Sequence, residues 1–207
     1  MPDTAAANNL RQALTNLRGL LARLSAGERS TLKVDPLLVI TRQTVEWRQR
    51  PDLVWTDLHA FDALLAAADP RRIPLVDGHE PADLLAQAVT LYRGPFLTGL
   101  SLPNSTGFEE WRLLHQEQRH KAALEALNRL VGHYLAAGRA ERVEDYARRQ
   151  LALEPWNEGA HQNLMLALAL GGQQVAALRQ YDACRSVLAQ ELGVAPSAET
   201  EVLKRQI

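Results

Sequence analysis

Arginine, asparagine and glutamine side chains can pair with base edges through two hydrogen bonds, and arginine also neutralises phosphate. Near the start of this chain Asn8, Asn9, Arg11, Gln12, Thr15, Asn16, Arg18 and Arg23 gather side chains of this kind, and no acidic residue occurs between Asp3 and Glu28. The chemistry they point to is recognition of a polyanion that presents hydrogen-bonding edges, which is double-stranded DNA. Other chemistries find little support. His115 and His120 stand five apart, about 140° around a helix, so they do not share a face as the two histidines of a helical zinc motif do. His59, His79, His133 and His161 are isolated in the sequence. Gly171-Gly172 lacks the strand and lysine of a phosphate-binding loop, and no nucleophile motif is present. No catalytic residue, metal site or cofactor is assigned, and the chain is not read as an enzyme.

A helix must position the polar cluster. Leu10, Leu14, Leu17, Leu21 and Leu24 recur at helical spacing and share one face, which leaves the polar residues on the other half of the wheel. The plainer reading of the same pattern is an amphipathic helix with a solvated face. Downstream, Thr31–Val34 and Leu37–Trp47 are rich in β-branched residues and read as short strands. Within the second, Arg42 and Gln43 fall at a hairpin tip, where they are either a DNA contact or an ordinary polar turn. A helix followed by a hairpin with an arginine at its tip is the back half of a winged helix. There the helix enters the major groove and the hairpin touches the flanking backbone or minor groove.

Charge agrees with this division. The 207 residues carry a formal net charge of −1, so the chain as a whole is no general polyanion binder. Residues 1–55 hold eight Lys/Arg against five Asp/Glu, and the remainder is acidic. The expected domains are therefore 1–55 and 56–207. Hydrophobic content of 46% and charged content of 23% are those of an ordinary globular protein. A single cysteine, Cys184, favours a reducing compartment, and no secretory or membrane-spanning segment is visible. The expected location is the cytoplasm, with no membrane partner.

From about Thr56 the strand signal gives way to helices. Leu58, Phe61, Leu64 and Leu65 form a stripe, and Pro81 suits the first turn of a second helix. Thr106 and Glu109 read as a capping box opening a long helix, with Trp111, Leu114, Leu127, Leu130, Val131 and Tyr134 on its buried side. Leu130, Tyr134, Gly138 and Ala147 are followed 34 residues later by Leu164, Leu168, Gly172 and Tyr181. That period is the tetratricopeptide signature, an array that commonly presents a groove to a partner. Trp156, after Pro155, is assigned to packing rather than to a surface anchor.

Several segments together resemble the bacterial transcriptional activator domain. They are Val54-Trp55-Thr56-Asp57-Leu58-His59-Ala60-Phe61, Leu91-Tyr92-Arg93-Gly94-Pro95-Phe96-Leu97, Trp111-Arg112, Leu151-Ala152-Leu153-Glu154-Pro155-Trp156-Asn157-Glu158 and Leu192-Gly193-Val194-Ala195-Pro196-Ser197. In the Streptomyces antibiotic regulatory protein family this domain follows a winged helix of the response-regulator type. Asn8–Leu14 with Leu17-Arg18 looks like the recognition helix of that winged helix, and Val39–Val45 like its wing.

The resemblance implies a mostly α fold: the C-terminal part of a winged helix joined to a tetratricopeptide-like helical domain. It implies a transcriptional regulator, most readily an activator. DNA contact would pass through Asn8, Asn9, Arg11, Gln12, Thr15, Asn16, Arg18, Arg42 and Gln43. The helical domain would mediate self-association or contact other protein, with RNA polymerase a candidate. The family's winged helix begins with a small sheet and two further helices absent here. The chain is thus expected to be a piece of a longer protein, a late start, or a copy without independent DNA binding. The competing class is a protein–protein interaction module with no DNA binding of its own.

Overall fold

The computed structural model describes residues 2–26, 38–41, 44–48, 54–70, 80–103 and 105–207. They divide into two compact units, Met1–Thr56 and Asp57–Ile207. The fold is mostly helical. In the first unit, helix α1 spans Pro2–Ala26. Strands β1 (Leu38–Ile40) and β2 (Val45–Trp47) pair antiparallel, with Leu38 opposite Trp47, Val39 opposite Glu46 and Ile40 opposite Val45. Thr41 N–H donates to the Thr44 carbonyl at 2.9 Å, and Thr44 N–H donates to Thr41 Oγ1 at 2.9 Å. These bonds close the hairpin. The tip residues Arg42 and Gln43, and the strand expected over Thr31–Val34, lie outside the described residues.

The second unit contains α2 (Asp57–Ala67), α3 (Pro81–Leu91), α4 (Thr106–Ala136), α5 (Ala140–Leu153), α6 (Glu158–Leu170), α7 (Gln174–Val187) and α8 (Ala198–Gln206). A π-helical turn, Leu188–Leu192, extends α7. Consecutive helices from α2 to α7 pack on one another, and α8 lies against α6 and α7. Pro81 sits in the first turn of α3, where an N–H is not needed. The Asn157 side chain accepts from Ala160 N–H at 3.0 Å and caps α6.

Two helix ends 34 residues apart are built alike. Gly138 has φ +66° and Gly172 φ +75°, the left-handed region that glycine enters without a Cβ penalty. After α4, Gly138 N–H donates to the Leu135 carbonyl at 3.0 Å and Arg139 N–H to Tyr134 at 2.9 Å. After α6, Gly172 N–H donates to Ala169 at 3.0 Å and Gln173 N–H to Leu168 at 2.8 Å. Both are Schellman motifs. Each satisfies two orphan carbonyls and turns the chain back so that the following helix can pack on the one just ended.

The core follows from this stacking. Leu84, Leu85 and Val89 of α3 meet Ala126, Leu127 and Leu130 of α4. Further along, Ala147 of α5, Leu164 and Leu168 of α6 and Ala177 of α7 form a second cluster. Ala147, Ala167 and Ala177 are essentially inaccessible, and their small side chains let the helices approach closely. Arginines satisfy helix C-termini from the next layer. Arg129 of α4 donates to the Ala68 carbonyl at 2.5 Å, just past α2, while Arg149 of α5 donates to the Val89 and Tyr92 carbonyls at the end of α3.

Three expectations are corrected. Trp111 and Leu114 are exposed, because the buried positions of α4 begin only at Ala123, where α3 and α5 cover it. Trp111 instead packs on neighbouring rings, Phe96 at 5.5 Å and His115 at 4.7 Å between centroids. The capping box does not form. Ser105 is the N-cap, without a side-chain cap bond, and Glu109 binds Arg112 and the Leu102 N–H instead. Trp156, expected to pack, is likewise exposed at the turn before α6.

The C-terminal helix is held by a carboxylate. Glu158 accepts from Ser197 N–H at 2.7 Å and from the Thr200 hydroxyl. Partial burial opposes its ionisation, but these hydrogen bonds outweigh that effect and hold the carboxyl below its ordinary value. A depressed carboxylate contributes stability above its unfolded pKa and loses it as pH falls through the folded one. Amide exchange in α8 should therefore accelerate as pH drops below about 4 after correction for intrinsic exchange, and Glu158→Gln should flatten that step. Leu130→Ala should cost about 2–5 kcal/mol by urea denaturation, since Leu130 is fully buried. Arg142→Ala, which removes an exposed 4.0 Å ion pair to Asp145, should cost under about 0.5 kcal/mol. Equal midpoint shifts would show that Leu130 carries no core packing. Gly138→Ala should cost about 1 kcal/mol from backbone strain alone, because nothing lies within 4 Å of an added Cβ. An unchanged midpoint would contradict it.

Candidate nucleic-acid interface

Helix α1 carries the polar residues singled out in the sequence. Asn8, Asn9, Arg11, Gln12, Thr15, Asn16 and Arg18 are all exposed. At about 100° per residue they cover one half of the helix, and Leu10, Leu14, Leu17 and Leu20 cover the other. Side-chain bonds run along the polar half. Arg11 Nη1 donates to Asn8 Oδ1 at 3.3 Å, Gln12 Nε2 donates to Asn16 Oδ1 at 3.2 Å, and Thr15 Oγ1 donates to the Arg11 carbonyl at 2.9 Å. These bonds lie between exposed groups one turn apart and are weak, so a stronger partner can replace them. What they do is hold the amides and the guanidinium in a row along the helix, with donors and acceptors alternating. The cationic groups there, Arg11 and Arg18, meet no carboxylate within that stretch of sequence.

The structure brings seven of the nine expected contact residues onto this one face. Arg42 and Gln43 fall outside the described residues, although the hairpin whose tip they would form is present. Among the described side chains of the leucine half, Leu10, Leu17 and Leu20 are exposed and Leu14 is half-buried. Leu10 is 56% exposed and Leu20 57%.

In the second unit, the described residues hold no group of three or more His, Cys, Asp or Glu placed to bind a metal. One polar chain escapes sequence reading. Tyr92, at the end of α3, lies 3.2 Å from His120 Nδ1, and His120 Nε2 lies 3.3 Å from Glu154 Oε1. With the proton on Nε2, the phenol donates to Nδ1 and the imidazole donates to the carboxylate. Burial pushes the Tyr92 hydroxyl above its ordinary pKa, so it remains a donor. The chain ties the Tyr92-Arg93-Gly94 segment to the Glu154-Pro155-Trp156 segment through α4. It has the order of a catalytic relay, but its outer member is a phenol that is already hydrogen-bonded, and it positions helices. Residues 62 apart in sequence give no local signal of such a link. Cys184 is fully buried and its thiol is pushed up to about 11 by desolvation, which makes it inert as a nucleophile. Among the described residues no helix is long and apolar enough to cross a membrane.

Comparison with known proteins places this architecture. Residues 56–207 match the bacterial transcriptional activator domain. The chain is 27% identical over 210 residues to transcriptional regulatory protein MoaR1 of Mycobacterium bovis and 28% identical to the Mycobacterium tuberculosis protein of that name. It aligns over all of its own length and over 62% of theirs. Regulatory protein AfsR of Streptomyces griseus is 30% identical over 200 residues, 95% of this chain and 19% of AfsR. Among solved structures, Mycobacterium tuberculosis EmbR in complex with a low affinity phosphopeptide superposes with a TM-score of 0.63 at 20% identity. That match covers 97% of this chain and 49% of EmbR, and it establishes a likeness of fold. The chain belongs to the bacterial transcriptional activator domain family and is similar to regulators of the Streptomyces antibiotic regulatory protein type.

Proposed function

We propose that this chain is the promoter-contacting and partner-contacting part of a transcriptional activator. The observation that carries the reading is the exposed, acid-free polar face of α1 in a chain of an activator family. In this reading α1 is the recognition helix of a winged helix, and residues 1–55 are its C-terminal part. Asn8, Asn9, Arg11, Gln12, Thr15, Asn16 and Arg18 face the major groove. Hairpin β1–β2 is the wing, and Arg42 and Gln43 at its tip meet the flanking backbone. Residues 56–207 are tetratricopeptide-like repeats that contact a second copy of the chain or other protein such as RNA polymerase. The protein regulates and does not catalyse, and it works in the cytoplasm where its promoters are.

The exposed Leu10, Leu17 and Leu20 of α1 favour a second reading, in which this helix pairs with protein and the chain is an interaction module without DNA binding of its own. Exposed leucines in a row seek an apolar partner. The two readings use opposite faces of one helix, so substitutions separate them.

Duplexes selected from a randomised pool by the natural full-length protein can be titrated by fluorescence anisotropy. Arg11→Ala should weaken binding by about 1–3 kcal/mol at one base position if Arg11 reads a guanine. If it meets phosphate instead, the loss should be uniform across sequences and the salt slope should flatten by about one unit. An isotherm unchanged by Arg11→Ala removes Arg11 from the interface. Failure to select any sequence, with association lost on Leu17→Asn, supports the interaction module.

A further inference from the structure

A cleft in the second unit is walled by aromatic rings and two guanidiniums, and no step of the proposed function uses it. Its volume is about 470 Å³. The start of α2 supplies Asp57, Leu58 and Phe61, and the end of α3 and the turn after it supply Tyr92, Arg93 and Gly94 through Thr98. Arg119 reaches in from α4. The size falls in the range of small-molecule sites, which join mostly apolar walls to a few convergent polar groups.

Three features set this cleft apart from ordinary surface relief. Arg119 is only 16% exposed at its side chain and lies over the Phe96 ring at 5.3 Å, so its charge sits against a low-dielectric wall. Its Nε is buried and has no acceptor. Its two outer nitrogens reach His115 and Asp62, at 3.0 and 3.2 Å. The turn forming the rim is strained, because Leu97 has φ +52° with a full side chain. Non-glycine residues held in that region cost energy and cluster at ligand clamps. Finally, one counter-charge is loosely held. Asp57 pairs with Arg93 at 3.4 Å, and both groups are at least half exposed. A pair of that kind is worth little and opens readily. Asp62, half exposed, meets the more buried Arg119 at 3.2 Å.

We propose that this cleft binds a small monoanionic carboxylate carried on an aromatic or branched apolar body. The carboxylate would take the planar guanidinium donors of Arg93 and Arg119, which match its geometry. The apolar body would lie among Phe61, Tyr92 and Phe96. Charge favours a monoanion. Asp57 and Asp62 offset the two arginines, so an anion binds by displacing Asp57 from the exposed Arg93, which frees one positive charge, whereas a dianionic phosphate would need a second. The site is independent of whether α1 meets DNA, since every lining residue belongs to the second unit.

The test is ¹H–¹⁵N correlation spectroscopy of the labelled full chain, with 4-phenylbutyrate as probe and 4-phenyl-1-butanol as its uncharged counterpart. Saturable amide shifts are expected on Gly94, Phe96, Leu97 and Thr98, and the alcohol should bind about tenfold or more weakly. Arg119→Gln and Arg93→Gln should each weaken the acid by about tenfold and leave the alcohol unaffected. Arg93 is 79% exposed, so its variant decides the matter if Arg119→Gln perturbs folding. Absence of saturable shifts at millimolar probe overturns the proposal, as do shifts spread over the chain, equal binding of acid and alcohol, or an Arg93→Gln variant that binds the acid as tightly as before.

Discussion

The helical body depends on the close approach of consecutive helices at alanines. A two-helix hairpin cannot cover its own apolar face, so each pair leaves a surface that only the next helix can bury. Ala147, Ala167 and Ala177 lie at those contacts, and their small volume lets Leu164, Leu168 and Val143 fill the remaining space. Larger side chains at the alanines would overpack the crossings, and helix positions elsewhere would have to shift. The two Schellman turns at Gly138 and Gly172 serve the same constraint. Without a left-handed residue the chain could not fold α5 back onto α4, or α7 onto α6, within so few residues.

Polar contacts then lock what the alanines permit. Arg129 and Arg149 reach back from α4 and α5 to the carbonyls that end α2 and α3, so each helix end is finished by the layer after it. The Tyr92–His120–Glu154 chain and the Glu158–Ser197–Thr200 contacts act in the same way at longer range. Among these, the α2–α3–α4 junction has a second consequence. Because α4 runs well past its neighbours, its first turns carry Trp111 and His115 beside Phe96, and the packed turn at Gly94–Thr98 leaves a cleft beneath Arg119. A scaffold made for stacking thereby acquires a concave surface with its own chemistry.

The N-terminal helix follows a different rule. Its leucine and polar halves divide cleanly, and of its described leucines Leu10, Leu17 and Leu20 are exposed. An amphipathic helix is stable chiefly through what covers its apolar side. The polar side gains meaning from composition: amides and guanidiniums without carboxylates are suited to a partner that brings the negative charge. The family to which the chain belongs makes DNA the natural candidate for that partner.

Much of this was legible in the sequence because it is local. Pro81, Gly138, Gly172 and the leucine spacing of α1 each act within one or two turns, so residue type and spacing determine them, and the 34-residue recurrence is that local grammar repeated in the next pair of helices. The buried Leu127, Leu130 and Leu164 were legible for the same reason. The failures are all questions of neighbours. Trp111 and Leu114 share a helical stripe with Leu127, yet they are exposed, since periodicity identifies a face but not how far along it a partner extends. Thr106 and Glu109 have capping spacing, but Arg112 and the Leu102 N–H compete for the carboxylate. The arginine caps, the Tyr92–His120–Glu154 chain and the Arg119 cleft join residues about 30 to 60 positions apart. Only the stacking of helices brings them within bonding distance, so the tertiary structure alone decided them.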